Sequence, residues 1–330
     1  MTSRIPSGSG AMPAGAIVSD APPSLVLKPG ATAKTDPLTR GTGFRGTSDG
    51  FWLASWRRLL RNKVAMAALL GIVALYGLCF AAPLFERATG LSRDKIELLD
   101  NYVRPNAQHW FGTDEYGRDY FIRVLYGGQI SILMGLGVTA IVLVIAVPLG
   151  LSAGYHGGRI DDLFLWLVQI LNSVPTLFVL ILIATWIPPT PVSLALIIGS
   201  LAWTGEARQA RGLSIQLKRA DYVLAARALG ATHARIIYRH IMPNIVSLMI
   251  VLAAFQVVGG ILAEVGLSFL GLGIRPPLPS WGNMLTNSLN YVFKAPYLVV
   301  FPGLAVGILI LCVYMLADGL RDAFDPRLKE

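Results

Sequence analysis

Long apolar runs, separated by short polar stretches, dominate the chain after about residue 63. A helix needs about 17–25 predominantly apolar residues to cross the hydrocarbon layer of a bilayer. The pattern predicts six spans, of which the fourth is short and continues as a polar helix. The six cover residues 64–85, 130–153, 163–186, 192–203, 245–262 and 298–316.

The residues before the first span have a different character. Residues 1–50 are rich in Ser, Gly, Pro, Thr and Ala and are expected to form a disordered tail. In residues 51–63, Trp and Leu side chains recur at helical spacing while Arg57, Arg58 and Arg61 take the opposite face. This pattern predicts an amphipathic helix that lies at the membrane interface.

Composition and charge support an integral membrane protein. Only 14% of the residues are charged, against about 25% in soluble domains. Of the 28 Lys and Arg residues, 20 fall on the side of the six predicted spans that carries both termini, and 8 on the other. The positive-inside rule then predicts cytoplasmic termini. An anionic inner leaflet accounts for the net charge of +9, so nucleic acid is not an expected partner.

The polar segment at residues 205–243, between the fourth and fifth spans, ends in the sequence DYVLAARALGATHARIIYRHIMPN, which covers residues 221–244. A short helix is predicted to begin at Asp221 and to end at Gly230 in a left-handed conformation. Thr232 can cap a second helix, which Pro243 is predicted to end. The pattern predicts a cytoplasmic helical hairpin.

The first helix of this hairpin is typical of a docking surface. Ala225 and Ala226 leave a shallow face that another backbone can approach, while Tyr222 and Arg227 supply an anchor and a charge at its edge. An ordered loop without a partner is the plainer alternative.

The spacing Leu224-Ala225-Ala226-x-x-x-Gly230, closed by Pro243 and Asn244, resembles the EAA loop of the integral membrane subunits of binding-protein-dependent ABC importers. Further motifs make the chain similar to the C-type subunits of the dipeptide/oligopeptide/nickel permease family. They are HWFGTDEYGRD at 109–119, AGY at 153–155 with GG at 157–158, LSFLGLG at 267–273, PSWG at 279–282, and DGLRD at 318–322 followed by DPR at 325–327.

This resemblance implies an all-α, type I ABC importer transmembrane fold with an elbow helix and six spans, in the bacterial inner membrane. Residues 86–129 would be external, 130–317 would form the transmembrane core, and 318–330 a cytoplasmic tail. The implied partners are a B-type permease subunit, which completes the pore as a heterodimer, two cytoplasmic ATPase subunits, an extracytoplasmic solute-binding protein and the lipid bilayer.

In such importers the first helix of the hairpin docks in a cleft of the ATPase. The residues that would carry this coupling here are Asp221, Tyr222, Leu224, Ala225, Ala226, Arg227, Gly230 and Pro243. Leu224 replaces the Glu of the motif's name and His240 replaces its later Ile, so docking is expected to depend on shape and apolar contact.

A second set of residues is expected to have structural or gating roles outside the membrane centre. It comprises Gly112, Asp114, Gly117, Arg118, Asp119, Glu264 and Trp281. Asp114 with Arg118, and Asp119 with Arg123, are spaced as i,i+4 ion pairs of a short helix. Glu264 is either a hydrogen-bonded structural carboxylate or a substrate contact. The residues that bind substrate are not predicted.

Two other classes of protein remain as alternatives. The sequence Gly150-Leu151-Ser152-Ala153-Gly154 matches a serine-hydrolase pattern, with His156 nearby, but it ends an apolar span instead of forming a strand–turn–helix elbow. An ion-coupled secondary transporter is the stronger rival, although the predicted spans hold no Asp, Glu, Lys or Arg at their centres.

The energy source is expected to lie in another subunit. The phosphate-binding pattern G-x-x-x-x-G-K-[ST] is absent, so the chain is not expected to be an enzyme or to bind a metal or cofactor. ATP and Mg would be used by the partner ATPases. Peptides are the predicted cargo, with nickel chelates and glutathione as alternatives.

Overall fold

The computed structural model describes residues 48–286 and 288–324, and over these residues helices and connecting loops make up the chain, with one isolated β-bridge between Thr113 and Asp119. Almost all of the predicted N-terminal tail, and residues 325–330, lie outside the described residues. The helices are α1 Ser48–Arg61, α2 Lys63–Phe80, α3 Ala82–Thr89, α4 Tyr120–His156, α5 Gly158–Ser173, α6 Thr176–Trp186, α7 Pro191–Ala202, α8 Thr204–Leu217, α9 Asp221–Ala228, α10 His233–Arg235, α11 Met242–Phe269, α12 Trp281–Leu285, α13 Ser288–Tyr291 and α14 Tyr297–Phe324. A 3₁₀ turn covers Leu98–Asp100 and a π-helical segment covers Ile236–Ile241.

Four helical stretches in the described part of the chain are long and apolar enough to cross a membrane. They are Lys63–Phe80, Tyr120–His156, His233–Phe269 and Tyr297–Phe324. Helices α5 and α6 pass the same test together but bend by 77° at their junction, which makes a possible fifth span. Helix α7 is apolar but shorter.

Two predicted spans are interrupted, and a proline accounts for each break. The predicted span 64–85 stops at Phe80, and α3 begins with Pro83 in its first turn, where a missing N–H is tolerated. The predicted span 163–186 breaks at Val174, which is extended at φ −100° and ψ 127°. The residue before a proline is disfavoured in the helical region, and Pro175 follows.

Helix α4 is the centre of the bundle and contacts α2, α5, α7, α8 and α11. It begins ten residues before the predicted start of the second span because Asp119 accepts the Ile122 N–H as a helix cap. Within the four apolar stretches, between 17% and 44% of the most apolar window is buried inside the chain. Their remaining apolar surface needs lipid or another subunit to cover it.

The first helix, α1, packs on the end of α14, where the Trp52 and Phe324 rings lie 5.6 Å apart in an edge-to-face contact. Leu59 is buried there with Ala65 and Ala323. The Asn62 side chain then caps α2 by accepting two backbone N–H groups. An amphipathic helix before the first long apolar helix is therefore present, and its apolar edge is held by the other end of the chain.

Candidate functional site

The short helix α9 ends as predicted. The Ala231 N–H donates to the carbonyl of Ala226, and the Gly230 N–H to that of Arg227, both at 3.0 Å, which is a Schellman motif. Gly230 has φ +79°, so the predicted left-handed conformation is confirmed. Only glycine adopts this conformation without a Cβ penalty. The chain can therefore turn sharply out of α9.

The second arm of the hairpin differs from the prediction. The Thr232 side chain caps it by accepting the Arg235 N–H at 3.4 Å. The helix does not end at Pro243, because the π-helical segment continues directly into α11 and places Pro243 in its first turn. A proline removes one N–H donor and crowds the preceding turn, and here the preceding turn is π-helical and therefore wider. The predicted end at Pro243 is wrong.

Helix α9 has one buried and one exposed face. Val223 and Ala226 are buried, and Val223 packs in a cluster that includes side chains of the π-helical segment. On the rest of its surface Tyr222, Leu224 and, directly after the helix, Leu229 are 44%, 47% and 89% exposed. Large apolar side chains at this exposure suit contact with a protein partner. We call these three the exposed apolar residues of α9.

The remaining predicted coupling residues of α9 are exposed but differ in their contacts. Asp221 lies in the first turn of α9 and Ala225 at its centre. Arg227 reaches back to α4, where its Nη2 donates to Tyr155 Oη at 3.3 Å and its guanidinium lies over the ring. Arg227 therefore connects α9 to α4.

Further contacts hold the hairpin to the last turn of α4. Tyr155 Oη lies 3.0 Å from Nδ1 of His233 in the second arm. Lys218, which follows α8, donates from Nζ to the Gly154 carbonyl at 2.7 Å. Sequence analysis missed these partners because they lie more than 60 residues apart along the chain. These contacts connect the region of α9 to the end of α4.

Helix α8 packs closely on α4 because two glycines remove side chains from the contact. A Cβ at Gly150 or Gly154 would overlap backbone carbonyl oxygens of α8. Arg211 of α8 also binds Asp161 of α5 through Nε and Nη2, at 2.5 and 2.6 Å. The hydrogen bonds to this carboxylate raise the pKa of Arg211. Gly150 and Gly154 therefore serve the close packing of α4 and α8.

The hydrolase alternative has no support at the same segment. Ser152 lies inside the continuous helix α4, where no strand–turn–helix elbow can form. His156 Nδ1 lies 3.0 Å from the Ser152 backbone carbonyl oxygen, so this ring nitrogen is paired with the main chain. The nucleophile–base contact that the reaction needs is therefore not made by this atom.

At the other end of the bundle, Glu264 is fully buried where α4, α11 and the loop before α12 meet. Its Oε1 accepts hydrogen bonds from the hydroxyls of Ser268 at 2.7 Å and Ser280 at 2.8 Å. The Ser131 hydroxyl lies 3.5 Å from Oε2. Of these, only Ser268, one helical turn away, follows from the sequence. The geometry favours the structural interpretation of Glu264.

Trp281 fixes the same junction from the side of α12. The residue is fully buried, and its Nε1 donates to the Val124 carbonyl at 2.9 Å. Its backbone N–H donates to the Ser131 hydroxyl at 3.1 Å. Trp281 and Glu264 therefore share Ser131, and together they attach the loop before α12 to α4.

The loop before α4 is built around two buried carboxylates. Asp114 pairs with Arg118 Nε at 2.7 Å, as predicted, and also with Arg123 Nε at 3.3 Å. Asp119 caps α4 and binds His109 Nδ1 at 2.9 Å, so the predicted Asp119–Arg123 pair is wrong. The reason is that Asp119 is the cap of α4 and not part of a helix that precedes it.

Two glycines of this loop allow close backbone approach. Gly112 and Gly117 have φ +76° and +74°, and a Cβ at either position would overlap a backbone carbonyl oxygen, of Val103 and Glu97 respectively. Both therefore have a structural role in bringing distant parts of the loop together.

Two families match the chain. Residues 146–330 match the family described as "Binding-protein-dependent transport system inner membrane component", and residues 50–93 match the "N-terminal TM domain of oligopeptide transport permease C".

Several characterised proteins are similar over most of their length. The dipeptide transport system permease protein DppC of Bacillus subtilis (strain 168) is 37% identical over 276 residues, which is 83% of this chain and 85% of that protein. The oligopeptide transport system permease protein OppC of the same organism is 36% identical over 279 residues, 84% and 90% of the two chains. The glutathione transport system permease protein GsiD of Pectobacterium atrosepticum is 34% identical over 278 residues, 84% and 92%. Because the first family covers more than half of the chain and these relatives cover most of it, the protein belongs to the inner membrane components of binding-protein-dependent transport systems, as a permease subunit.

Proposed function

We propose that this permease subunit forms half of the translocation pore of an ABC importer for dipeptides or oligopeptides. It pairs with a B-type permease subunit, receives cargo from an external solute-binding protein, and is driven by two cytoplasmic ATPase subunits. Both termini and the α9 hairpin face the cytoplasm. The six spans of this arrangement are α2, α4, the bent pair α5–α6, α7, α11 with its preceding turns, and α14.

The observation that carries the proposal is the set of exposed apolar residues of α9. Tyr222, Leu224 and Leu229 are exposed around a short helix whose remaining face is buried, and the Schellman turn at Gly230 fixes the end of that helix. Because Arg227 and Lys218 connect this region to the end of α4, a force on α9 is transmitted to a 37-residue apolar helix of the bundle. Such a connection suits a transporter whose ATP hydrolysis takes place in another subunit.

Exposed apolar surface supports the shared pore. Leu70 of α2 and Val144 of α4 are 70% and 73% exposed, as expected for helices that face lipid or a second subunit. A homologous partner would supply the second wall of the pore.

Peptide cargo is inferred from the relatives, two of which are described as dipeptide and oligopeptide permease proteins. Glutathione is the second candidate cargo, because another relative is described as a glutathione transport system permease protein. Co-purification with the tagged chain tests the assembly, and stimulation of ATP hydrolysis by the recovered binding protein, loaded with each solute in turn, tests the cargo. If the chain alone accumulates solute in vesicles against a gradient, the proposal is refuted.

The coupling role of the hairpin can be tested with Gly230→Val. No atom lies within 4 Å of the added Cβ, so the strain arises only from the left-handed backbone and is about 1–2 kcal/mol or more for a β-branched residue. We expect normal membrane insertion with transport and stimulated ATP hydrolysis lost. Gly212→Val is the matched control, because Gly212 lies in helix α8 with equally open space. Equal uptake by the two variants would contradict the coupling role.

A further inference from the structure

Part of helix α8 lies at membrane depth. Helix α7 has 12 residues and is about 18 Å long, less than the hydrocarbon thickness of about 30 Å. It leads into α8 through Trp203, whose φ of −73° and ψ of −16° are helical. About the first eight residues of α8, from Thr204 to Arg211, are therefore needed to complete the crossing. Arg211 is ion-paired with Asp161 in the first turn of α5, as expected where a span leaves the hydrocarbon.

The exposed surface of α8 is unsuited to lipid. Its exposed residues are Gly205, Arg208, Gln209 and Gln216. The first three fall in the part that crosses the hydrocarbon, where an arginine that faces lipid is strongly disfavoured. Charged and polar groups at this depth face the interior of a bundle or a water-filled cavity. The exposed surface of α8 therefore suits a hydrated space inside the transporter.

The neighbouring edge of α5 continues this polar surface. Thr204 Oγ1 donates to Asn172 Oδ1 at 3.1 Å, and Arg211 also binds α5. Arg208 lies four residues after Thr204 and three before Arg211, so it is on the side of α8 that meets α5. On α5, Gln169 and Asn172 are exposed at the same level. We call Gln169, Asn172, Gly205, Arg208 and Gln209 the polar seam.

The bend between α5 and α6 supports water beside the polar seam. The bend lies at Val174, in the middle of the predicted span 163–186. In the first turn of α6 the backbone N–H groups of Thr176 and Leu177 precede any intrahelical acceptor, and both residues are exposed. Irregular backbone at membrane depth is tolerated only inside protein or beside a water-filled cavity. The bend follows Asn172 directly, so the same cavity would serve both.

Arg208 gives the polar seam one positive charge without a partner. Its side chain forms no hydrogen bond or ion pair with the described residues. Glu206 lies on the opposite side of α8, about 160° away around the helix axis. Asp161 is neutralised by Arg211, and Asp162 lies at the same membrane boundary, about 10 Å along α5 from the seam. The other members of the seam are uncharged, so the seam suits an anionic group.

We propose that Arg208 binds the C-terminal carboxylate of the peptide cargo as the cargo passes along the polar seam towards the cytoplasm. This inference rests on the proposed function, because it takes peptides as the cargo. A carboxylate is costly to move through a region of low dielectric, and a guanidinium can offset that cost with two parallel hydrogen bonds. The amides of Gln169, Asn172 and Gln209 can donate to and accept from peptide groups of any sequence.

The first test compares a peptide that has a free C-terminal carboxylate with its C-terminally amidated form. Uptake is measured in proteoliposomes that hold the complete complex, with the binding protein saturated by either peptide. Arg208→Gln should lower the ratio of the two uptake rates, free over amidated, by at least about tenfold relative to wild type. Arg208→Lys keeps the charge and should lower this ratio by no more than about threefold. The matched control Arg219→Gln, exposed beyond the end of α8, should leave the ratio within about twofold.

A second pair of variants keeps the test open if Arg208→Gln does not assemble. No atom lies within 4 Å of a Cβ added at Gly205, so both Asp and Asn fit there. Gly205→Asp places a competing carboxylate three residues before Arg208 and should lower the ratio by about three- to tenfold. Gly205→Asn has the same size without the charge and should leave the ratio within about twofold.

Hydration of the seam is tested with single cysteines after the native Cys79 and Cys312 are replaced by Ala. A thiol needs water to ionise and react. Gln169→Cys should therefore react with a charged, membrane-impermeant thiol reagent in the assembled complex. Ile170→Cys, which is 43% exposed on the apolar side of the same turn of α5, should remain unlabelled.

Three results would overturn the inference. One is an equal fall in the uptake of both peptide forms by Arg208→Gln, which would make Arg208 a structural or subunit contact. Another is an unchanged uptake ratio in both Arg208→Gln and Gly205→Asp. The third is equal labelling of the two cysteines. If the wild-type complex takes up neither peptide form and its ATP hydrolysis does not respond to the loaded binding protein, the proposed function itself is refuted.

Discussion

Replacement of Glu264 by Ala should destabilise the protein far more than replacement by Gln. Alanine removes both oxygens and leaves the hydroxyls of Ser268 and Ser280 without their acceptor, in a site that water does not reach. A buried polar group left without its hydrogen-bond partner costs about 1–3 kcal/mol, so the two hydroxyls together cost about 2–6 kcal/mol. Relief of burying the polar carboxyl group offsets part of this, and we expect a net loss of about 2–4 kcal/mol.

Glutamine keeps one oxygen for the two serines and places its amide near Ser131, whose hydroxyl oxygen can accept. We expect a loss of about 1 kcal/mol for Glu264→Gln. Gly282→Ala supplies a second perturbation of the same site, because its Cβ would lie 2.7 Å from Glu264 Oε1 and overpacking of this kind costs about 1–3 kcal/mol. In the Glu264→Ala background that clash disappears, so the two losses should not add.

Thermal unfolding in detergent, followed by tryptophan fluorescence, measures these differences, because Trp281 is fully buried beside the network. A fall of about 1–2 °C per kcal/mol is expected for a chain of this size. The reasoning is refuted if alanine is tolerated as well as glutamine, or if the losses of Glu264→Ala and Gly282→Ala simply add.

The remaining predictions concern helix packing, a helix cap and an ion pair. Gly154→Ala should lower stability by about 1–3 kcal/mol through contact with α8, whereas Gly307→Ala, with open space around it, should not; equal unfolding temperatures would contradict the packing argument. Asn62→Ala should cost about 1 kcal/mol by removing the cap of α2, and Asn62→Asp should restore it. A double-mutant cycle of Asp161→Ala and Arg211→Ala should give a coupling energy of about 0.5–1 kcal/mol, because both side chains are partly exposed, and a value near zero would count against the pair.

Local patterns in the sequence determined the parts of this protein that depend on neighbouring residues. The long apolar runs predict membrane-spanning helices, and four helical stretches of the described residues are long and apolar enough to cross a membrane. Gly230 predicts the end of α9, and Thr232 predicts the start of the next arm, because a left-handed turn and a helix cap involve only a few consecutive residues. The family resemblance likewise depends on short motifs, and the comparisons confirm it.

The tertiary structure decided what depends on residues that meet only after folding. The helical arm does not end at Pro243, because the π-helical segment before it leads directly into α11. No short-range signal in the sequence predicts that π-helical segment. Arg123 pairs with Asp114 and not with Asp119, because the fold uses Asp119 to cap α4. Glu264 gains hydrogen-bond donors from two other segments, which no helical periodicity relates. Helix formation is governed by interactions within one turn, whereas buried polar groups must find whichever partners the packing brings to them.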